Sequence, residues 1–372
     1  MKKSRVFGVL LGIVIIVSGV VLLLMRGNSN NKAIDYNVMI TKWDNLYKGN
    51  NIQFYYMSKD NVAILNLKNK YSLDNVVKDA SNELEKTMAM IDWLNRRAEV
   101  KTSAMESKKT VDEMLIALET NKVISLKEYN IILEETLTSI GVICRSGELR
   151  ASNNVKIKEN DSYSVLEIWS SAHGKWVMID GKAEGYLMKD GIPLSAIEVI
   201  NSEIETITSE NIKEPKKYLK AISKYLSIYS IKIDNNKLEE AKSNSYITFV
   251  SRDEDIQLET IKGYIQPTIF VKDQQLFNVN PEVVYHNGKS DSKPTLILAK
   301  RNTKDDTEEY TKFTVGAFMN SYMLDSYFLS VNGGEYTPVK TYYDLALPSG
   351  KTAISVSLDG KTQDGFIEFE GK

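Results

Sequence analysis

Residues 125–150 read SLKEYNIILEETLTSIGVICRSGELR, and the change of period inside this stretch decides the fold class. Ser125 stands where a helix needs a side-chain acceptor for its first free backbone N–H groups. Glu128, three positions on, is set to reach back, which is the capping-box pattern. Tyr129, Ile132, Leu133, Thr136, Leu137 and Ile140 then share one helical face, and Gly141 stops the helix. Val142 to Arg150 follows as a β-like run, as do Tyr163 to Trp169 and Trp176 to Asp180, the last two separated by a turn over Ser170 to Lys175. A helix feeding a short antiparallel sheet predicts an α+β fold.

The same reading extends outward in both directions. Ser81 to Arg97 places Leu84, Met88, Ile91 and Leu94 at helical spacing behind an Asn82–Glu85 capping pair. Pro215 opens another helical stretch in which Tyr218, Leu219, Ile222, Tyr225, Leu226 and Tyr229 recur. Near residue 240 the period changes. From Ser245 onward short runs such as Tyr246–Val250, Thr295–Leu298 and Ala353–Val356 are broken by Asn-Gly, Gly-Gly, Ser-Gly and Asp-Gly turns. Two domains are expected, over 33–240 and 241–372, the second a small β-sandwich with an immunoglobulin-like rhythm.

Phe7 to Met25 is an uncharged run of membrane-spanning length, preceded by Lys2, Lys3 and Arg5. Residues 1–26 are therefore expected to be a cytoplasmic tail and uncleaved transmembrane anchor, and 27–32 a stalk. The rest is expected to face the extracytoplasmic side of a single-pass membrane protein. Of 47 basic residues the anchor region takes four, leaving 43 against 49 acidic ones, a balance that argues against a nucleic-acid partner. The only cysteine is Cys144, so no internal disulfide can form. With two histidines, His173 and His286, there is no zinc-type ligand set, and no metal or cofactor is expected.

Between residues 60 and 200 a further pattern emerges. It consists of Tyr71-Ser-Leu-Asp74, Ile91-Asp-Trp93-Leu94, Leu126-Lys-Glu128-Tyr129, Ser139-Ile-Gly141-Val-Ile-Cys-Arg145, Leu166-Glu167-Ile168-Trp169, Trp176-Val-Met-Ile-Asp180 and Gly191-Ile-Pro-Leu-Ser-Ala-Ile197. In order and spacing these resemble the transglutaminase-like superfamily, and in particular its exported Gram-positive members. The resemblance implies a papain-like domain with a nucleophilic Cys opening the helix, a His beginning the second strand and an orienting carboxylate. Carried onto this sequence, those positions hold Leu126, Tyr163 and Asp180. Leucine has no attacking atom, and an unperturbed phenol is too weak a base at neutral pH.

Four side chains are weighed as substitutes. Ser125 is the helix cap, Cys144 falls at a buried strand position, and His173 and His286 read as turn residues. Asp180 is left to cap, to pair with an arginine such as Arg145, or to hydrogen-bond Tyr163. The expectation is a catalytically inactive transglutaminase-like protein that binds or scaffolds a peptide or protein at the cell surface. The alternative is a cysteine or serine hydrolase or acyl transferase with a site rearranged around Ser125 or Cys144.

Overall fold

The structure, a computed structural model, describes residues 38–49, 52–101, 109–151, 162–251, 256, 265–283, 291–300 and 310–371. The expected anchor over 7–25, the stalk and His286 lie outside the described residues.

The chain begins with β1 (Val38–Asp44) and continues through helices α1 (Val62–Lys70), α2 (Leu73–Val76) and α3 (Glu83–Asn95). A small pair, β2 (Glu99–Val100) and β3 (Val123–Ile124), brackets α4 (Val111–Leu118) and leads into α5 (Leu126–Ser139). Then come β4 (Cys144–Arg150), β5 (Ser162–Ser170), β6 (Lys175–Asp180), β7 (Gly185–Lys189) and β8 (Ile192–Pro193). Helix α6 (Ala196–Ile200), β9 (Thr208–Glu210) and α7 (Pro215–Ile222) precede β10 (Ile228–Lys232), β11 (Tyr246–Val250) and β12 (Thr268–Val271). The remaining strands are β13 (Thr295–Ala299), β14 (Tyr310–Met319), β15 (Tyr322–Met323), β16 (Ser326–Val331), β17 (Thr337–Lys340), β18 (Tyr342–Pro348), β19 (Gly350–Ser357) and β20 (Gly365–Gly371).

Helix α5 forms for the reasons its sequence states. Ser125 and Glu128 make the reciprocal capping box, and Gly141 takes the left-handed conformation, φ +82°, that releases the chain. Ile132, Leu133 and Leu137 are buried with no exposure. They pack with Leu84, Ile91 and Trp93 of α3 and with Cys144, Leu166, Ile168 and Ile179 of the sheet in one apolar cluster. A second cluster fills the opposite face of the sheet, built from Leu149, Val165, Met178, Tyr229, Phe249 and Phe277 among others.

That sheet is larger than the short one expected. Its nine strands run β12-β11-β10-β4-β5-β6-β7-β8, with β9 also on β7, and only β11 and β12 pair in parallel. Strands β10, β11 and β12, which straddle residue 240, are consecutive neighbours in it, so the sheet crosses the place where the sequence changes period. The other sheets are a five-stranded one, β1-β20-β19-β16-β17, and a four-stranded one built on β13, β14, β15 and β18. Leu298, Val315 and Leu345 of the four-stranded sheet share a buried cluster with Leu329, Val356 and Phe369 of the five-stranded one. The C-terminal rhythm of strands thus needs a strand from the other end of the described chain, since β1 pairs with β20 from Val38–Gly371 to Asp44–Phe366.

Two expectations are corrected. Of the described residues 39% are strand and 25% helix, so the chain is mainly sheet with a helical layer and not the α+β arrangement of a papain-like domain plus an immunoglobulin-like sandwich. Helical periodicity is conspicuous between residues 62 and 139, but most strands follow residue 143, where short irregular runs give a weaker signal. The single-pass, extracytoplasmic membrane arrangement is likewise not supported. Among the described residues no helix is long and apolar enough to cross a membrane. The longest, α5, has 14 residues, about 21 Å of helix against a bilayer core of about 30 Å.

One side chain joins the two smaller sheets. Asn45, immediately after β1, donates from Nδ2 to the carbonyl of Leu296 at 2.8 Å and accepts the Leu296 N–H at 2.7 Å. It thereby pairs both backbone groups of a buried residue on the open edge of β13, as a neighbouring strand would. Replacing Asn45→Ala strands both groups and should cost about 2–4 kcal/mol, measurable as a lowered urea midpoint with an unchanged slope.

Candidate functional site

The strand registers decide which expected residues can meet. Across β4 and β5, Tyr163 opposes Leu149 and Ser164 opposes Glu148, and successive side chains point to opposite faces. Asn130 of α5 donates to the Ser164 hydroxyl at 3.0 Å, so the helix covers the Ser164 face. Tyr163 points to the other, where its ring lies 5.6 Å from that of Tyr225. Asp180 shares that face, since the next residue, Gly181, is the one against the helix: a Cβ there would come within 2.4 Å of the Tyr129 ring. The sheet therefore brings Tyr163 and Asp180 together, while Leu126 lies partly exposed at the first turn of α5.

Asp180 is the centre of the first cluster. It is 2% exposed. Tyr163 donates its hydroxyl to Oδ2 at 2.7 Å, and the backbone N–H groups of Lys182 and Ala183 donate to Oδ1, each at 3.0 Å. Of the partners left open by the sequence, Tyr163 is the one present, together with these two turn amides. Burial, with the Asp180 charge next, drives the Tyr163 phenol far above its ordinary value. The Tyr218 hydroxyl, sealed from solvent, also feels Asp180, and burial followed by that charge raises its pKa strongly too. Both phenols hold their protons at neutral pH, and Tyr163 serves the carboxylate as a donor.

The candidate nucleophiles are each occupied. Ser125 is buried and donates its hydroxyl to Glu128 at 3.0 Å while accepting the Glu128 N–H at 3.2 Å. Cys144 is 4% exposed, with Sγ donating to the Glu134 carbonyl at 3.3 Å. Burial, reinforced by the Glu134 charge, pushes this thiol far up, away from the reactive thiolate. His173 sits exposed in the turn between β5 and β6 with Nδ1 2.9 Å from the Ser170 hydroxyl. It stands seven positions from Asp180 along an extended strand, on the order of 20 Å, and cannot serve that carboxylate. Among the described residues no group of three His, Cys, Asp or Glu could hold a metal ion.

A second polar cluster was not anticipated. Arg145 and Glu167, each 1% exposed, are directly opposed on β4 and β5. Nε and Nη2 of Arg145 donate to Glu167 Oε2 at 2.8 and 2.6 Å, and Nη2 also donates to the carbonyl of Phe277 at 2.9 Å. The other Glu167 oxygen accepts the N–H of Ala196 at 2.9 Å. The guanidinium lies 4.0 Å from the centre of the Trp176 ring. Burial alone would weaken the Arg145 charge, but Glu167, together with Tyr56 and Tyr229, more than offsets it and the pKa rises. Pairing the two strand runs in antiparallel register would have revealed this contact, because the alternation sets Arg145 against Glu167.

A cavity of about 70 Å³ lies beside the pair, bounded by Arg145, Glu167, Trp176, Glu198, Gln275 and Phe277. Arg145 Nη1 has no partner among the described residues but is also closed to solvent, so it offers nothing to this space. Glu198 is bound to Lys175 and to the Ser195 N–H. The cavity is thus walled by polar groups whose charges are already matched. It sits away from the Tyr163–Asp180 cluster.

Compared with known proteins, the chain matches no family model and no curated protein. The resemblance over residues 60–200 rests on the quoted residues alone.

Two outcomes follow from the clusters. Tyr163→Phe removes the hydroxyl from a buried carboxylate and should destabilise the protein by about 1.5–3 kcal/mol in urea unfolding. Arg145→Met leaves Glu167 buried and unpaired and should cost about 3–5 kcal/mol, whereas Arg145→Met combined with Glu167→Leu should cost distinctly less than the single change.

Proposed function

We propose that this protein is a catalytically silent relative of the transglutaminase-like enzymes that works by binding or scaffolding a peptide or protein. The observation that carries the reading is the closure of Asp180. In an acyl-transfer site of that kind the carboxylate orients an imidazole, which takes the proton of an attacking thiol. Here Oδ2 is held by Tyr163 and Oδ1 by the Lys182 and Ala183 amides. A phenol whose pKa is driven upward holds its proton and cannot act as the base.

Two further facts support the same reading. Leu126 offers no nucleophilic atom at the start of α5, where free N–H groups would otherwise favour a thiolate. Cys144 is engaged in packing and Ser125 in the cap with Glu128, and among the described residues no imidazole lies beside either. A side chain such as Leu126, partly exposed beside a rigid helix terminus, suits contact with an apolar part of a partner.

Iodoacetamide applied at neutral pH should leave Cys144 unmodified in the folded protein and modify it fully in urea, as read by intact mass. Rapid labelling of the folded protein would instead favour an active thiol. Among candidate peptides, a true ligand should raise the melting temperature saturably with concentration, as expected for anything that binds only the folded state. Absence of any such rise across a broad peptide set would leave a purely architectural role.

A further inference from the structure

Two tyrosines from distant parts of the chain meet head to head at the surface. The hydroxyl oxygens of Tyr55 and Tyr322 lie 3.3 Å apart, close enough for either to donate to the other. Tyr322 is 53% exposed and Tyr55 is half-buried. Each is seated by its backbone on a different sheet. The Tyr55 N–H donates to the carbonyl of Ile233 at 3.0 Å and its carbonyl accepts the N–H of Asn235 at 2.8 Å, which ties it to the chain leaving β10 of the nine-stranded sheet. Tyr322 opens β15 and pairs with Met319 of β14 in the four-stranded sheet.

The approach of the two segments is fixed from both sides. Gln53 donates its N–H to the hydroxyl of Ser321, the residue before Tyr322, at 2.9 Å. The turn that presents Tyr322 holds Asn320 and Ser321 in the left-handed region, φ 54° and 69°. Asp291 clasps this turn, accepting the Asn320 N–H at 2.7 Å and donating its own N–H to the Asn320 side-chain oxygen at 2.6 Å. The Lys242 ammonium lies over the Tyr55 ring, 4.8 Å from its centre.

We propose that Tyr55 and Tyr322 form a cross-linking site, at which a one-electron oxidant of the peroxidase or photochemical class joins the two rings into a dityrosine that staples the nine-stranded sheet to the four-stranded one. Each phenol gives one electron to the oxidant and its hydroxyl proton to water. The two tyrosyl radicals carry unpaired spin on their oxygens and on the ortho carbons that flank them, and coupling makes one carbon–carbon bond between ortho positions. The ortho hydrogens then move to the oxygens and restore both phenols, so the product has lost two hydrogens and the oxidant has gained two electrons. Groups held in place react ahead of partners on other molecules, because tethering acts as a local concentration of about 1 mM or more. A second close pair, Tyr163 and Tyr225, with ring centres 5.6 Å apart, is not equivalent: Tyr225 is buried, and the Tyr163 hydroxyl is committed to Asp180.

Irradiation of the full chain at low micromolar concentration with tris(bipyridyl)ruthenium(II) and persulfate, followed by digestion and mass spectrometry of linked peptides, tests this. In the monomer fraction the Tyr55–Tyr322 linkage, lighter by two hydrogens than its separate peptides, should exceed any other tyrosine pair by about tenfold. Tyr55→Phe and Tyr322→Phe should each abolish it, while Tyr342→Phe, at an exposed tyrosine of β18, should leave it at the wild-type level, with circular dichroism confirming that each variant is folded. Linked peptides that never join Tyr55 to Tyr322 overturn the proposal. So does a linkage found only in covalent dimers, or a preference for Tyr163–Tyr225.

Discussion

The constraint on which the rest of the structure depends is the burial of an arginine and a glutamate side by side in the middle of the nine-stranded sheet. Taking both charges out of water is costly, and the cost is offset by well-placed partners for most of the remaining lone pairs and N–H groups, Arg145 Nη1 having none among the described residues. Here the placing recruits distant chain. Phe277 must offer its carbonyl, Ala196 its N–H and Trp176 its ring face for Arg145 and Glu167 to be tolerated. The indole of Trp176 in turn donates to the carbonyl of Val279. The pair therefore does less to stabilise the sheet than to specify which segments may lie on it. It explains why the stretch around residues 274–279, a 3-10 turn over Gln274–Phe277 and the residues after it, is packed so closely onto the β4–β5–β6 face.

The Asp180 cluster works on the same principle with a different chemical outcome. A carboxylate buried without a cation survives by collecting donors, and Tyr163 with the two turn amides supplies them. Cys144 is accounted for by a sealed strand position next to a helix carbonyl, and Ser125 by a capping box that uses both sides of its hydroxyl.

Much of the local architecture was legible in the residues. The capping box of Ser125 and Glu128, the stop at Gly141 and the runs that became β4, β5 and β6 stand within two residues of where period and turn chemistry put them. The buried strand position of Cys144 was legible for the same reason. What could not be read was pairing over long distance. Nothing in the period near residue 240 says that Tyr246–Val250 joins the sheet begun by Cys144–Arg150. Nor does anything near Val38 announce that it pairs with Gly371. Facing residues on β4 and β5 were within reach of a register argument, but Tyr218 and Tyr225 reach Asp180 and Tyr163 only because α7 folds back across the sheet. A helical-period stripe of tyrosines carries no sign of its destination.

The pairing of β1 with β20, closed at one corner by Asn45, has a consequence for how the protein is made. Residues 38–45 leave the ribosome long before their strand partner over 365–371. The five-stranded sheet must wait with one edge open until its far end arrives, and closing a loop of that length before any contact rewards it slows the step. The nine-stranded sheet, complete once Val271 has emerged, is free to form first and to act as the platform on which the late closure takes place. Loss of either β1 or β20 would then unseat the same layer, although the two lie far apart along the chain.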